Sequence, residues 1–145
     1  MKISTRGRYA LLMLLDLAEH KSEGYVSLKD IADRRQISKK YLEQIGSLLS
    51  HSNILRANRG YQGGYMLAQS PERYTIGQIL RITEGSLCPT ACAEGNPAVC
   101  EQSDECKTLP IWQGLNNLIN EYLDGITLDE VSKQVSKNAN DDYSI

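Results

Sequence analysis

The segment over residues 27–50 constrains the fold more than any other part of the chain. Ser27 and Asp30 stand at capping-box spacing, with Asp in place of the usual Glu or Gln, and predict a short helix that ends near residue 35. A tight turn at Gln36 and Ile37 follows. Ser38 is a suitable N-cap for a second helix that runs to about residue 50. Two helices joined by a tight turn are typical of a helix-turn-helix.

The residues after the second helix add a hairpin. Short candidate strands over 54–58 and 65–68 flank "RGYQGG", whose glycines are typical of a hairpin tip. The order of these elements predicts a winged helix-turn-helix that reads DNA. The alternative is that the lysines of the second helix form a solvated face and that "GYQGGY" is merely a turn.

Further caps predict the helices on either side. Ser4 precedes an apolar pattern with helical spacing, Thr75 opens a helix that ends near Glu84, and Thr127 caps a short last helix. After Pro110 a long helix carries apolar residues on two adjoining strips, which is more than one small domain needs to bury and suits a partner helix. The apolar residues of the two strips are Ile111, Leu115, Leu118, Ile119, Tyr122 and Leu123.

These elements predict a mainly α fold with a small β wing, namely a winged helix-turn-helix followed by a long dimerisation helix. The expected divisions are a DNA-binding domain over 1–84, a cysteine-rich loop over 85–110, the dimerisation helix and a short C-terminal helix over 111–136, and a polar tail over 137–145.

Charge is distributed unevenly along the chain. Residues 1–80 contain 12 Lys or Arg and 7 Asp or Glu, whereas residues 81–145 contain 4 and 11. A basic first part favours binding to a polyanion, although random surface charge is the alternative. The early apolar run is cut by Asp16 and is too short for a signal peptide or a membrane span. We therefore expect a cytoplasmic protein with no membrane partner.

The start of the second helix supplies the candidate major-groove contacts. They are Ser38, Lys39, Lys40, Tyr41, Glu43 and Gln44. The Gln44 amide suits adenine, and the Glu43 carboxylate can accept from the amino group of cytosine. Arg59 at the hairpin tip is placed to enter a minor groove. We expect Gly60, Gly63 and Gly64 to let the backbone approach the sugar-phosphate chain.

All four cysteines lie between residues 88 and 106, spaced C-x3-C-x7-C-x5-C, in a segment without a core pattern. In a reducing compartment such a group indicates metal ligands or redox groups rather than disulfides. Cys88 and Cys92 fit a zinc half-site, whereas Cys100 and Cys106 are spaced more loosely than zinc ligands usually are. Because there is no C-x-x-C, nucleotide loop or acid/base pair, we expect neither an enzyme nor a small-molecule substrate.

Several segments together resemble the IscR-type (Rrf-two) family of transcription factors. They are "ISTRGRYALLMLLDLA", "SLKDIADRRQISKKYLEQI", "RGYQGGYMLA", "ITEGSLCP", the later cysteine pair, the following "IW", and "ITLDEV". The resemblance extends from Met1 to about Lys133. It implies a homodimer of winged-helix subunits, an iron–sulfur cluster in the cysteine loop, and DNA contacts from Ser38, Lys39, Tyr41, Gln44 and Arg59.

The same resemblance assigns cluster ligands. Cys92, Cys100 and Cys106 match the family's three cysteines, although Cys92 and Cys100 are unusually far apart. Leu109 stands where biogenesis regulators have a ligating His, and Arg8 stands where other relatives have an acidic ligand. Cys88 is either the fourth ligand or a spare thiol. The weaker candidates are Glu101, Asp104 and Glu105. Biogenesis regulators imply a [2Fe–2S] cluster and nitric-oxide sensors a [4Fe–4S] cluster; we favour the first.

The predicted function is that of a homodimeric repressor that senses iron–sulfur cluster status and controls cluster-biogenesis genes. Two-fold symmetry would require an inverted-repeat DNA operator. One alternative is the same scaffold sensing nitric oxide, redox state or cysteine metabolism. Another is a zinc-stabilised DNA-binding protein.

Overall fold

The computed structural model of the chain describes residues 2–95 and 103–134. Its principal elements, in chain order, are α1 (Thr5–Glu19), α2 (Leu28–Arg35), α3 (Lys39–His51), β1 (Leu55–Asn58), β2 (Gly64–Leu67), α4 (Ile76–Glu84), α5 (Leu109–Asp124) and α6, described over residues 128–134. The predicted mainly α fold with a β wing is confirmed. None of the helices in the described residues is long and apolar enough to cross a membrane.

The five helix starts that were predicted from a capping Ser or Thr are each confirmed by a side-chain cap. Ser4, Ser27, Ser38 and Thr75 each accept a hydrogen bond of 3.1 Å from the backbone N–H three residues later. Thr127 forms a reciprocal capping box with Glu130, which accepts from the Thr127 N–H at 2.9 Å. Each cap contributes about 1 kcal/mol to helix stability. Local side-chain chemistry therefore fixes where these helices begin.

The hairpin pairs β1 and β2 antiparallel, from Leu55 opposite Leu67 to Asn58 opposite Gly64. Each strand begins or ends within one residue of its predicted boundary. Val26, which precedes α2, exchanges two backbone hydrogen bonds of 2.9 Å with Tyr65. The base of the wing is thereby fixed to the segment that leads into the helix-turn-helix.

α1 lies at the centre of the core. It is buried on nearly all sides and packs against α2, α3, α4 and β2. Fully buried side chains from α1 include Met13 and Leu14, and those on the inner face of α3 are Leu42, Ile45 and Leu49. Burying each of these aliphatic side chains contributes about 1.5–3 kcal/mol. The helix-turn-helix therefore packs against α1.

Asp16 of α1 is completely buried and binds two arginines at the end of α2. Arg34 donates from Nε and Nη2 to the two carboxylate oxygens at 3.0 and 2.7 Å, and Arg35 Nε donates at 3.1 Å. Arg35 also pairs with Glu19 at 2.8 Å. The hydrogen bond from Arg34 to Asp16 raises the pKa of the guanidinium. This cluster fixes the end of α2, and with it the turn, against α1.

The segment between α4 and α5 contains more structure than the predicted loop. Short 3-10 turns occur at Ala91–Glu94 and Ser103–Glu105. α5 begins at Leu109, two residues before the predicted boundary, because Pro110 is tolerated in the first turn of a helix. α4 and α5 are joined by Arg81, which donates to Asp124 at 2.7 and 2.9 Å. The predicted tail over 137–145 lies outside the described residues.

Asp16→Asn should lower the free energy of unfolding by about 2–3 kcal/mol, because two guanidinium groups lose a buried counter-charge. Glu19→Gln is the matched control: it removes one negative charge from the same cluster, but from an exposed pair worth less than about 1 kcal/mol. Urea unfolding at a fixed protein concentration measures both. Equal losses for the two variants would show that burial of the Asp16 carboxylate adds nothing to the free energy of unfolding.

Candidate DNA interface and cysteine segment

The first two turns of α3 present polar side chains outward. Lys39, Lys40, Glu43 and Gln44 are all exposed, while their neighbours Leu42 and Ile45 are buried. Ser38 is exposed too, and its hydroxyl accepts from the Tyr41 N–H. The first-turn amides that precede Tyr41, together with the two lysines, suit phosphate oxygens. The structure thus presents the predicted recognition residues on one end of one helix, and their contacts with bases remain a prediction.

Tyr41 differs from its neighbours because it is half-buried. Its ring packs edge-on against the ring of Tyr9 of α1, with centroids 5.6 Å apart and planes at 87°. Such aromatic pairs contribute about 0.5–1.5 kcal/mol beyond their buried area. Tyr41 therefore has a packing role that sequence spacing did not indicate. Its predicted contact with DNA would come from whatever part of the ring remains exposed.

The wing tip exposes Arg59 and, most of all, Tyr61, whose side chain is fully in solvent. A hydrogen bond of 2.9 Å from the Gly63 N–H to the Gly60 carbonyl closes the turn. Gly60 has a φ of 116°, a conformation that side chains disfavour. The tip is thus a defined turn that presents Arg59 to solvent, as the sequence predicted.

The other two wing glycines have a reason within the protein. A Cβ on Gly63 would lie 2.6 Å from the Asn58 carbonyl oxygen, and one on Gly64 would lie 2.2 Å from that of Val26. Both distances are shorter than any van der Waals contact allows. The structure requires both glycines for closing the turn and packing the wing against the segment before α2. The approach of DNA backbone at these glycines stays a prediction.

An open cleft of about 420 Å³ lies between α3 and the wing. It unites residues predicted separately, because Lys39 of α3 and Arg59, Gly60, Gly63 and Gly64 of the wing all line it. It also contains residues that sequence analysis missed, namely Lys29, Ser47, Ser50, His51 and Asn58. Only the packing of α2 beside the wing brings Lys29 here, so no local pattern signalled it. The lining is basic, as a phosphate-binding cleft requires.

Three of the four predicted ligands are described, and none of them is in a disulfide. Cys88, Cys92 and Cys106 are free, half-buried thiols. Within residues 2–95 and 103–134, no three His, Cys, Asp or Glu side chains are grouped closely enough to hold a metal ion. Cys100 and Glu101 lie outside the described residues. The predicted ligand set is therefore not preassembled in the part of the segment that is described.

The thiol surroundings nevertheless suit cluster ligation. Hydrogen bonds from Thr108, and from the backbone N–H of Leu109, lower the pKa of the Cys106 thiol, with Thr108 Oγ1 3.3 Å from Sγ. The thiolate is the form that binds iron. Cys92 Sγ lies 3.2 Å from Thr90 Oγ1. Both thiols thus have a hydroxyl neighbour able to donate to a thiolate.

The other positions that bear on the fourth ligand are less suitable than Cys88. Leu109 is the apolar first residue of α5. Arg8 is exposed and donates to Thr5 at 3.3 Å. His51 lines the cleft between α3 and the wing, and His20 contacts the Asp16 carbonyl oxygen, so neither lies on the cysteine segment. Asp104 and Glu105 are exposed. Among the described residues, Cys88 thus remains the best candidate.

A helix-turn-helix with an exposed polar recognition helix and a basic cleft beside a wing defines the class of winged-helix DNA-binding proteins. Comparisons with known proteins agree. Residues 3–134 match the model of the family described as "Rrf2: Iron-dependent Transcriptional regulator". The chain is 37% identical over 131 residues to the HTH-type transcriptional regulator IscR of Pectobacterium carotovorum, covering 90% of this chain and 79% of that protein.

Solved structures agree as well. CymR, the global cysteine regulator of B. subtilis, superposes with a TM-score of 0.76 at 35% identity, covering 92% of this chain and 98% of that one. IscR of T. potens gives a TM-score of 0.74 at 37% identity, covering 93% and 88%. The chain belongs to the Rrf2 family. It is a transcriptional regulator rather than an enzyme, and DNA is its partner.

Arg59→Ala should weaken binding to a specific DNA site by about tenfold or more, because a groove contact from the tip is lost. Folding should be unaffected, since the side chain is exposed. Arg56→Ala removes the same charge from an exposed position away from the tip, in β1, and controls for long-range attraction. Fluorescence anisotropy at one salt concentration compares the two variants. Equal losses would contradict a specific role for Arg59.

Proposed function

We propose that this protein is a homodimeric repressor whose cysteine segment holds an iron–sulfur cluster, and that the state of the cluster sets the affinity for DNA. The observation that carries the proposal is the location of all four cysteines in one segment between α4 and α5. The description of the matching family as iron-dependent supports it. We expect cluster-biogenesis genes to be among those controlled, as for the IscR-type regulators that the sequence resembles.

The proposed ligands are Cys92, Cys100, Cys106 and, as the fourth, Cys88. A set of four thiolates is the commonest ligand set for iron–sulfur clusters. Because the described thiols are not grouped, binding a cluster would draw them together and reorganise the segment that joins the DNA-binding domain to α5. That rearrangement is the proposed signal. We favour a [2Fe–2S] cluster over a [4Fe–4S] cluster from the resemblance to biogenesis regulators.

Cys→Ala changes at 92, 100 and 106 should each abolish the visible absorbance of protein purified without oxygen, because nothing local replaces the lost thiolate. Cys88→Ala distinguishes the two interpretations of Cys88, namely fourth ligand or spare thiol. An all-cysteine site predicts loss of the cluster or a short-lived one. Iron and sulfide analysis accompanies the spectra. A Cys88→Ala protein with an unaltered spectrum and lifetime would assign the fourth ligand elsewhere, and wild type without iron and sulfide would refute the cluster.

The dimer is proposed from the outward strip of α5. Ile111, Leu115, Leu118 and Tyr122 recur at spacings of four, three and four residues and are 58%, 40%, 64% and 68% exposed. Ile119 and the other inward residues pack against the small core beneath α4. Apolar residues at this spacing form the seam between paired helices. A second copy of α5 is therefore the proposed partner.

Leu118→Asp should convert the dimer to monomers, because a carboxylate would be buried in the seam. Binding to a two-half-site operator should fall with it. Asn117→Asp, at the neighbouring exposed position off the strip, adds the same charge and should leave the dimer intact. Sedimentation equilibrium measures the assembly. A Leu118→Asp protein that stays dimeric would place the interface on another surface.

A dimer of this kind implies an operator with inverted repeats. Two-fold symmetry places two copies of α3 in successive major grooves, about 34–36 Å apart or a multiple of it. Gln44 and Glu43 would then read bases, while the lysines hold phosphates. Glu43 would favour sites with a correctly placed cytosine more than it adds affinity, because a carboxylate near phosphates is repelled.

A second candidate is a regulator of cysteine metabolism on the same scaffold. It is favoured by the similarity to the B. subtilis cysteine regulator over 98% of that chain. A zinc-stabilised form is the other alternative, with sulfur ligands in a tetrahedral site. Metal analysis distinguishes these possibilities. Bound zinc leaves the protein colourless, and regulation of cysteine metabolism does not require a bound metal.

A further inference from the structure

The end of α4 is joined to the start of α1 at the point where the cysteine segment begins. Glu84 is the last residue of α4, and Gly85, with a φ of 79°, ends the helix. Cys88 follows three residues later. The Glu84 carboxylate accepts from the Ser4 N–H at 3.2 Å and from the Ser4 hydroxyl. A residue 80 positions earlier in the chain is thus held by the residue that opens the cysteine segment.

Ser4 links the Glu84 carboxylate to α1. Its oxygen accepts from the Gly7 N–H at 3.1 Å and so caps the helix. A Cβ on Gly7 would lie 2.3 Å from a Glu84 carboxylate oxygen, so the carboxylate occupies space that only glycine leaves open. Arg6 adds a second link by donating to the Thr83 carbonyl at 2.7 Å. The negative charge also suits the positive end of the α1 dipole.

The same part of α1 contacts the recognition helix. Tyr9, two residues beyond Gly7, packs edge-on against Tyr41 of α3. The Tyr41 N–H in turn donates to Ser38, the N-cap of α3. Two direct contacts and one helical turn therefore separate Glu84 from the residues proposed to touch DNA. On its other side α4 is bound to α5 through Arg81 and Asp124.

We propose that Glu84 is a positioning residue that couples the cysteine segment to the recognition helix through the N-cap of α1. A rearrangement beginning at Gly85 displaces the carboxylate, loosens the cap and shifts Tyr9 against Tyr41. The cluster as the natural signal rests on the proposed function. The coupling itself does not, because it also operates in the metal-free chain. It is reciprocal, so DNA on α3 must alter the cysteine segment.

The test uses the full-length, reduced, metal-free protein. The rate at which iodoacetamide alkylates Cys88 and Cys92 is measured by mass spectrometry, alone and with a saturating specific duplex. Wild type should show a change of about fivefold or more, the lower end of typical coupling between sites. A non-specific duplex at the same concentration should have little effect. Cys88 and Cys92 lie on the segment beyond α4, away from the DNA cleft lining.

Glu84→Gln and Ser4→Ala should each reduce the response to less than about twofold, with DNA saturating in each case, and the double variant should lose no more than either single one. Glu72→Gln, an exposed carboxylate away from this contact, should respond as wild type does. A purely structural cap would lower stability in both single variants and leave the DNA-induced change intact.

A retained response in Glu84→Gln overturns the proposal. If that variant fails to fold, folded Ser4→Ala decides in its place, and a full response there overturns it too. A wild type whose thiols do not respond to specific DNA refutes the coupling. That result would leave the cluster untouched, because iron and sulfide content decides the cluster independently.

Discussion

The DNA-binding surface depends on the buried pairing of Asp16 with Arg34 and Arg35. α2 is only eight residues long and buries one side chain, Ile31, so its own packing cannot orient it firmly. The three-residue cluster holds its C-terminal end to α1, and the left-handed Gln36 that follows sets the direction of α3. Charges at an interior position require such partners, and their geometry is directional where apolar packing is not. The recognition helix is thereby oriented by electrostatics and supported by the core.

Much of this fold could be predicted because its signals are local. Caps at Ser4, Ser27, Ser38 and Thr75 use residues three positions apart, and the two strips of α5 follow from helical spacing alone. The sequence does not indicate the structural role of Asp16, because its partners lie 18 and 19 residues away. For the same reason the sequence does not show that the carbonyl of Val26 excludes a side chain at Gly64, because the two residues are distant in sequence.

The site was predicted less completely than the fold. Spacing identified the exposed residues of α3 and the tip at Arg59, but it could not show that Lys29 and His51 share their cleft or that Tyr41 packs on Tyr9. Cysteine spacing suggested ligands without indicating how far apart the thiols stand. α4 connects α1, which carries the recognition helix, with α5. Its end contacts α1 through Glu84, and its outer side contacts α5 through Arg81. A small displacement of α4 would therefore reach both the recognition helix and the proposed dimer helix.

In the proposed function, the state of the cysteine segment sets the affinity for DNA. The direct measurement is the dissociation constant of one operator duplex for cluster-loaded and for metal-free protein, determined anaerobically by fluorescence anisotropy at one salt concentration. Protein–DNA affinities vary steeply with salt, so both forms share one buffer. We expect the two dissociation constants to differ by about fivefold or more. Two forms that bind the operator equally well would contradict it, even if the cluster itself were present.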